Sequence, residues 1–297
     1  MKPLQGPPRF LLVSRIGPDS LHANWIEGAS RGQFDVLLSC YAPAPEPLAR
    51  AGVTVEHRPG RKVAGYAGIL RDHAERLAQY DYICFMDEDL QISSDQIAGC
   101  FGLAAAHKLK IAQPAFAWGS HFSYAATLRQ PQFNLRFVNF IEMACPIFHR
   151  NVLATIAPLY QSGLESGIDL IWCNAVAEGP RDFAVIDAFP ALHTRPVGGK
   201  ASENGFADVH GYEVHIQAAL ARFGVPRHRM ATYEALHLDG RTLRGRLRLA
   251  LASLSVFGAL PQQPKKRTLV KCGFDMLMHQ IFYGPRNSKV TLEEGLS

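Results

Sequence analysis

Residues 80–92 read YDYICFMDEDLQI, and the way this stretch folds decides the architecture of the chain. Tyr82 to Met86 are apolar almost without interruption, and three acids, Asp87, Glu88 and Asp89, follow at once. A run with no polar alternation suits a strand covered on both faces, as at the centre of a parallel sheet. Adjacent carboxylates repel one another, and burying any of them without a partner is costly. Either the acids form a solvated turn, or they belong to a site that uses their charge.

The flanking segments bear on that choice. RFLLVSRIG (9–17), FDVLLSCYAP (34–43) and VTVEHRP (53–59) read as strands, the first two closed by Gly-Pro or Pro turns. Helical spacing in residues 65–79 puts Ile69, Leu70, His73 and Leu77 on one face. Ser93 and Ser94 stand where a helix over 95–109 needs its cap. Residues 111–118, 139–148 and 183–193 read as further strands, and 151–161 and 167–179 as helices. The alternation predicts an α/β fold, a mainly parallel central sheet flanked by helices in the Rossmann manner. Ligands bind such sheets beyond the carboxyl ends of their strands, which is where the acids fall. A site is the more economical reading.

Composition sets the frame. The chain has 297 residues, 47% apolar and 19% charged, which suits a globular protein and excludes a disordered one. Near the N-terminus only four apolar residues run together, Phe10 to Val13, too few for a signal-peptide core. The stretch LALASLSVFGAL (249–260) has 12 residues and falls short of a membrane span. Six scattered cysteines without a C-x-x-C pair read as buried thiols of a reducing compartment, so a cytoplasmic location is expected. Between Arg241 and Lys271 lie eight basic residues and no acid, and without those eight the net +5 becomes −3. No Walker loop, no G-x-G-x-x-G after the first strand and no G-x-S-x-G elbow occurs. The basic tail lacks interleaved aromatics, so charge alone speaks for nucleic acid and none is expected as a partner.

If residues 87–89 are extended, Asp87 and Asp89 face one side and Glu88 the other. Two such oxygen donors suit Mg²⁺ or Mn²⁺, which bind through one or two carboxylates plus substrate phosphates.

Five segments carry a resemblance: YDYICFMDEDLQI, IAQPAF, FIEMACPIF, GIDLIWCNAVAEG and VIDAFPALHTRPVGG. The arrangement resembles glycosyltransferases of the A type. The five segments are similar, in order, to a glycosyltransferase-like domain family of unknown function found in plant and bacterial proteins. The likeness covers about residues 9–200, and residues 201–297 are expected to form a mostly helical, basic extension. It implies a metal-dependent enzyme that moves a sugar from a nucleotide diphosphate donor to a hydroxyl acceptor, saccharide or lipid-linked. Asp87 and Asp89 match its metal motif, His193 a completing metal ligand, and Asp169 the catalytic base. A carboxylate at the start of a helix is also held ionised by the dipole, which makes a good cap and a weaker base. Arg15, Gly17 and Asp19 lie where such enzymes hold base and ribose, or they form an ordinary Gly-Pro turn. Lys62 and Arg71 meet the diphosphate or are solvated surface. Glu142 contacts the acceptor hydroxyl or pairs with a buried arginine, and for Asp187 the structural role is preferred.

Two rival functions stay open, a metal-dependent phosphohydrolase and a non-catalytic nucleotide-sugar-binding module. RTLRGRLRLALASLSVF (241–257) suits a basic amphipathic helix on an anionic membrane, or a helix packed on the catalytic domain. Arg246 and Leu247 break a clean division of its faces, which favours packing.

Overall fold

A computed structural model describes residues 9–43, 51–196, 209–227 and 229–296. The first half runs β1 (Phe10–Ile16), α1 (Ile26–Ser30), β2 (Asp35–Cys40), β3 (Val53–His57), α2 (Lys62–Asp72), α3 (Ala74–Leu77), β4 (Tyr82–Met86), β5 (Leu90–Gln91) and α4 (Ser94–Ala106). Next come β6 (Ile111–Phe116), β7 (Phe133–Val138), β8 (Ile147–His149), α5 (Arg150–Gln161), α6 (Asp169–Val176) and β9 (Phe183–His193). The last part holds α7 (Val209–Arg222), β10 (Thr232–His237), β11 (Thr242–Arg244), α8 (Arg246–Ser253), α9 (Lys266–Phe282) and α10 (Leu292–Leu296).

The sheet has the order β11-β10-β7-β9-β6-β8-β4-β1-β2-β3, with β5 paired to β9 beside it. β1 pairs in parallel with β2 and β4, β2 with β3, and β6 with β9. Short β8 lies antiparallel between β4 and β6, so those two share a direction. β1, β2, β3, β4, β6 and β9 therefore all point the same way, and the expected parallel core is present. β7, β10 and β11 extend it by antiparallel pairing.

β4 is buried along its whole length, as its unbroken apolar sequence requires. Leu12 faces Cys84 across the pairing of β1 with β4, and Val13 faces Leu37 across the pairing of β1 with β2; all four are fully buried. α4 begins with a capping box: the Ser93 hydroxyl accepts from Gln96 N–H, and the Gln96 side chain accepts from Ser93 N–H. The chain after 200 joins the same sheet through β10, which pairs with β7. The expected boundary near residue 200 lies outside the described residues.

Three local expectations change. The helix of residues 65–79 starts earlier, at Lys62, and breaks at His73. β7 was not foreseen. In 139–148, only Ile147 and Phe148 lie in a strand, and 139–146 form a buried loop. Apolar runs look alike in a buried strand and a buried loop. What distinguishes the loop is that side chains satisfy its backbone. Gln113 Oε1 accepts from Glu142 N–H (2.9 Å), and Trp172 Nε1 donates to the Ile141 carbonyl (3.0 Å). Lys62 Nζ donates to the Met143 carbonyl (3.3 Å).

Candidate functional site

The carboxyl ends of β1, β2, β4, β6 and β9 open onto one cleft of about 790 Å³. Asp87, Glu88, Asp89, Glu142, Asp169 and His193 all line it, together with Arg15, Asp19, Tyr41, Arg61, Lys62 and Arg195. The structure thus brings together all but two of the expected site residues. Gly17 lies behind the wall, and Arg71 lies elsewhere, exposed on Asp72.

The acidic trio forms a turn rather than an extended segment, because the chain reverses into β5. The division of its side chains survives. Asp87 and Asp89 face the cleft centre, where Asp87 Oδ1 meets Lys62 Nζ at 2.5 Å and Asp89 Oδ2 meets His193 Nε2 at 3.4 Å. Burial pushes the Asp87 carboxyl up; Lys62 offsets this in part, and the Asp89 charge adds to it. Asp89 is held below its usual range: burial would raise it, but the bond from His193 and its charge prevail. Burial alone would lower the His193 pKa, and the Asp89 carboxylate turns that into a rise. His193 Nδ1 lies 2.9 Å from the His121 carbonyl, so Nδ1 carries hydrogen and Nε2 is aimed at Asp89. The imidazole stacks on Phe116 at 5.4 Å.

Glu88 turns the other way and is buried. Its Oε2 accepts from Gly17 N–H (2.6 Å), and its Oε1 accepts from Tyr41 Oη (2.7 Å) and Arg195 Nη1 (3.2 Å). Arg195 also donates to the Asp19 carbonyl. Gly17 fits because nothing larger would: a Cβ there would stand 2.2 Å from Tyr41 Oη. The turn after β1 is therefore clamped to the turn after β4. Arg15 donates to Ser39 Oγ (3.0 Å) and to the carbonyls of Arg58 (2.6 Å) and Gly60 (2.7 Å), which fixes the approach to α2. Its guanidinium shapes the wall more than it offers a free cation. Lys62, opening α2, is the cation at the centre.

Asp169 is the first residue of α6, and the backbone N–H groups of Met143 and Leu170 point at its carboxylate. Burial nevertheless raises its pKa to about 6, with Lys62 and those N–H groups working against the rise. Desolvation here outweighs the helix start, contrary to the weak-base expectation. Glu142 goes further. Its burial raises the pKa to about 8, and Oε1 is buried with no hydrogen-bond partner. Among the described residues no arginine pairs with it, which speaks against that alternative. The buried arginine pair belongs to Asp187, which receives Arg136 Nε at 2.8 Å with both side chains inaccessible. This is the structural role expected for Asp187.

Sequence reasoning missed Tyr41, Arg195, Tyr124 and Arg227. Arg227 pairs with Glu213, and both line the cleft with Tyr124. Arg195 alone had a signal, two residues beyond His193 in a quoted segment.

Among the described residues, no three His, Cys, Asp or Glu side chains stand close enough to form a complete metal site. The donors fit a hard divalent cation that takes two carboxylates from the protein and its other ligands from phosphate and water. Burial raises the carboxyls of Asp87, Glu142 and Asp169, so the cleft disfavours their charged forms.

No family model matches the sequence, and no curated protein matches it, so the five-segment likeness remains a resemblance. Among solved structures the fold is similar to S. aureus TarS 1–349, also solved with UDP, at 10% identity and a TM-score of 0.43 over 92% of this chain and 90% of that one. GalNAc-T7 with UDP, GalNAc and Mn²⁺ overlaps 65% of this chain and 44% of its own, at 9% identity and a TM-score of 0.45. A197 from STIV overlaps 80% and 94%, at 14% identity and a TM-score of 0.38. Overlaps at this level say nothing of chemistry. No helix among the described residues is long and apolar enough to cross a membrane.

Proposed function

We propose that this protein transfers a sugar from a nucleotide diphosphate donor to a hydroxyl acceptor. One observation carries the reading: four carboxyl groups, one of them paired with a lysine, line one cleft at the carboxyl edge of a parallel core. The ligand class is that of the TarS structures solved with UDP and with UDP-GlcNAc, but the reading rests on the cleft.

The donor would enter over the turns after β1 and β4, where Arg15, Gly17, Asp19 and Glu88 shape the nucleotide wall. Its diphosphate would meet the side chains of Lys62 and Arg61 at the start of α2. Asp87 and Asp89, with His193 beside them, would hold Mn²⁺ or Mg²⁺, which would supply positive charge to the departing diphosphate. As the phosphates arrive, Lys62 can exchange its bond to Asp87 for one to phosphate oxygen.

Asp169 takes the acceptor proton. A carboxylate with a pKa of about 6 is ionised at neutral pH and more basic than a solvated one, as a general base should be. Glu142, still protonated at neutral pH, is a hydrogen-bond donor rather than a base. Its role is to orient a sugar or acceptor oxygen.

Calorimetry with UDP, GDP and ADP, each with and without Mn²⁺, tests the first step. Metal-dependent binding of one of them is expected, and no binding by any would refute the reading. Release of free sugar or phosphate without transfer, across acceptors, would favour a hydrolase instead.

A further inference from the structure

The ten large apolar side chains that stand exposed among the described residues are unevenly placed. Seven of them fall between residues 247 and 283: Leu247, Leu251, Leu254, Val270, Phe274, Phe282 and Tyr283. They belong to α8, α9 and the 3-10 turns that join the two helices.

The two helices lie side by side and antiparallel. A Cβ on Gly284, just past α9, would stand 2.7 Å from Arg246 at the start of α8. A Cβ on Gly273, mid-α9, would stand 2.8 Å from Phe257 in the turns after α8. Their inner faces are used: Leu249 packs with Phe133 and Ala235 of the sheet, and Val256, Ala259 and Leu269 are fully buried. The packing expected for residues 241–257 is therefore real and accounts for Leu249. It leaves Leu251 and Leu254 outside. Spacing of four places Leu247 with Leu251, and Val270 with Phe274, on the outer side of each helix.

Basic side chains frame the same surface. Arg246, Arg248, Lys265, Lys266, Arg267 and Lys271 are all exposed, and the first acid after Asp239 is Asp275. Exposed apolar groups interspersed in sequence with exposed lysine and arginine complement an interface with apolar chains beneath anionic headgroups. A protein partner or a second copy of this chain has no such claim from charge, since this surface would repel its own copy.

We propose that the outer face of α8 and α9 docks on an anionic lipid bilayer. The placement suits the cleft. A Cβ on Gly258 would meet Trp118 at 2.8 Å, and one on Gly119 would lie 3.6 Å from the Gln262 carbonyl. The segment entering α9 thus packs on the loop whose His121 carbonyl orients His193. Docking would bring the bilayer beside the His193 wall of the cleft, within reach of a lipid-linked acceptor. The docking itself does not rest on the transfer reading, because it needs neither donor nor acceptor.

Cosedimentation of the full chain with phosphatidylcholine vesicles, with and without phosphatidylglycerol, tests it. Binding is expected only to the anionic vesicles and should weaken at least about tenfold in high salt. The double variant Lys266→Glu/Arg267→Glu and the single variant Phe274→Ser should each lower it by about tenfold, with circular dichroism unchanged. All three sites are exposed, so folding should survive. No binding to anionic vesicles would overturn the proposal. So would binding that neither variant affects, or a solution dimer that Phe274→Ser dissociates, which would assign the face to a second copy.

Discussion

Replacing Glu142 by Gln tests whether the cleft keeps one of its carboxyls protonated. The side chain is 6% exposed, and its pKa rises from 4.5 to about 8. Because the folded protein binds this proton more tightly than the unfolded chain, its stabilising effect is complete below about pH 4.5. It is lost as pH climbs through the window between the two values. By pH 7 about 2.5 units of that window have been crossed, and at 1.36 kcal/mol per unit the loss is about 3 kcal/mol. Against a typical total of about 5–15 kcal/mol, a loss of that size is easily measured. Glutamine has the same shape, does not titrate and still offers an N–H donor. Urea unfolding of both proteins at pH 5, 7 and 8, with a chelator present, isolates the effect. The variant should gain about 2–3 kcal/mol on the parent between pH 5 and pH 7, two units of that window. If it keeps transfer while Glu142→Ala loses most of it, Glu142 acts as a hydrogen-bond donor. Stability curves that stay parallel across this range would refute the buried neutral acid, and with it the division of labour between Glu142 and Asp169.

Asp169→Asn should preserve donor binding and lower transfer by about a hundredfold or more, the usual scale for a lost general base. In the parent, transfer should rise with pH through about 6, as the Asp169 carboxyl loses its proton, and the rate profile shows whether it does. Asp87→Ala and Asp89→Ala should each abolish the Mn²⁺-dependent part of donor affinity in calorimetry. The metal-free melting temperature should hold or rise for Asp87→Ala, which removes a buried charge, and fall for Asp89→Ala, which loses its bond from His193; unfolding with normal donor binding in the folded fraction would make the trio structural. Arg136→Ala leaves Asp187 buried and unpaired, and urea unfolding should show a loss of about 3–5 kcal/mol. A change below about 1 kcal/mol would mean that the pair is solvated when the protein is free in solution.

Much of the architecture was legible because a parallel core leaves a strong trace. Leu11 to Val13, Val36 to Leu38 and Tyr82 to Met86 are apolar on both faces, which only a covered strand needs. The step from Met86 to Asp87 marked the carboxyl edge, and with it the place of the cleft. Glu142 was harder: it lies in a buried loop whose apolar sequence imitates a strand, and partners distant in sequence, Gln113, Trp172 and Lys62 among them, hold that loop. Lys62 looked like a surface cation because nothing local shows that Asp87 waits across the cleft. The role of Glu88 was hidden for the same reason, since its partners Gly17, Tyr41 and Arg195 come from three separate segments. Asp169 could be placed at a helix start, but the desolvation that overrides the helix dipole depends on what covers it. In the tail the packing reading holds at Leu249, which turns inward, while Leu251 stays exposed.

β10 completes the sheet beside β7 through an antiparallel register from Thr232↔Val138 to His237↔Phe133. β7 in turn pairs with β9, the strand that delivers His193. Shortening the chain to its first two hundred residues would therefore strip the partner from β7 and turn an interior strand into a bare edge. Its free N–H and C=O groups would then be open to any passing strand, and self-association would compete with folding. The last third of the chain thus guards the sheet that builds the cleft.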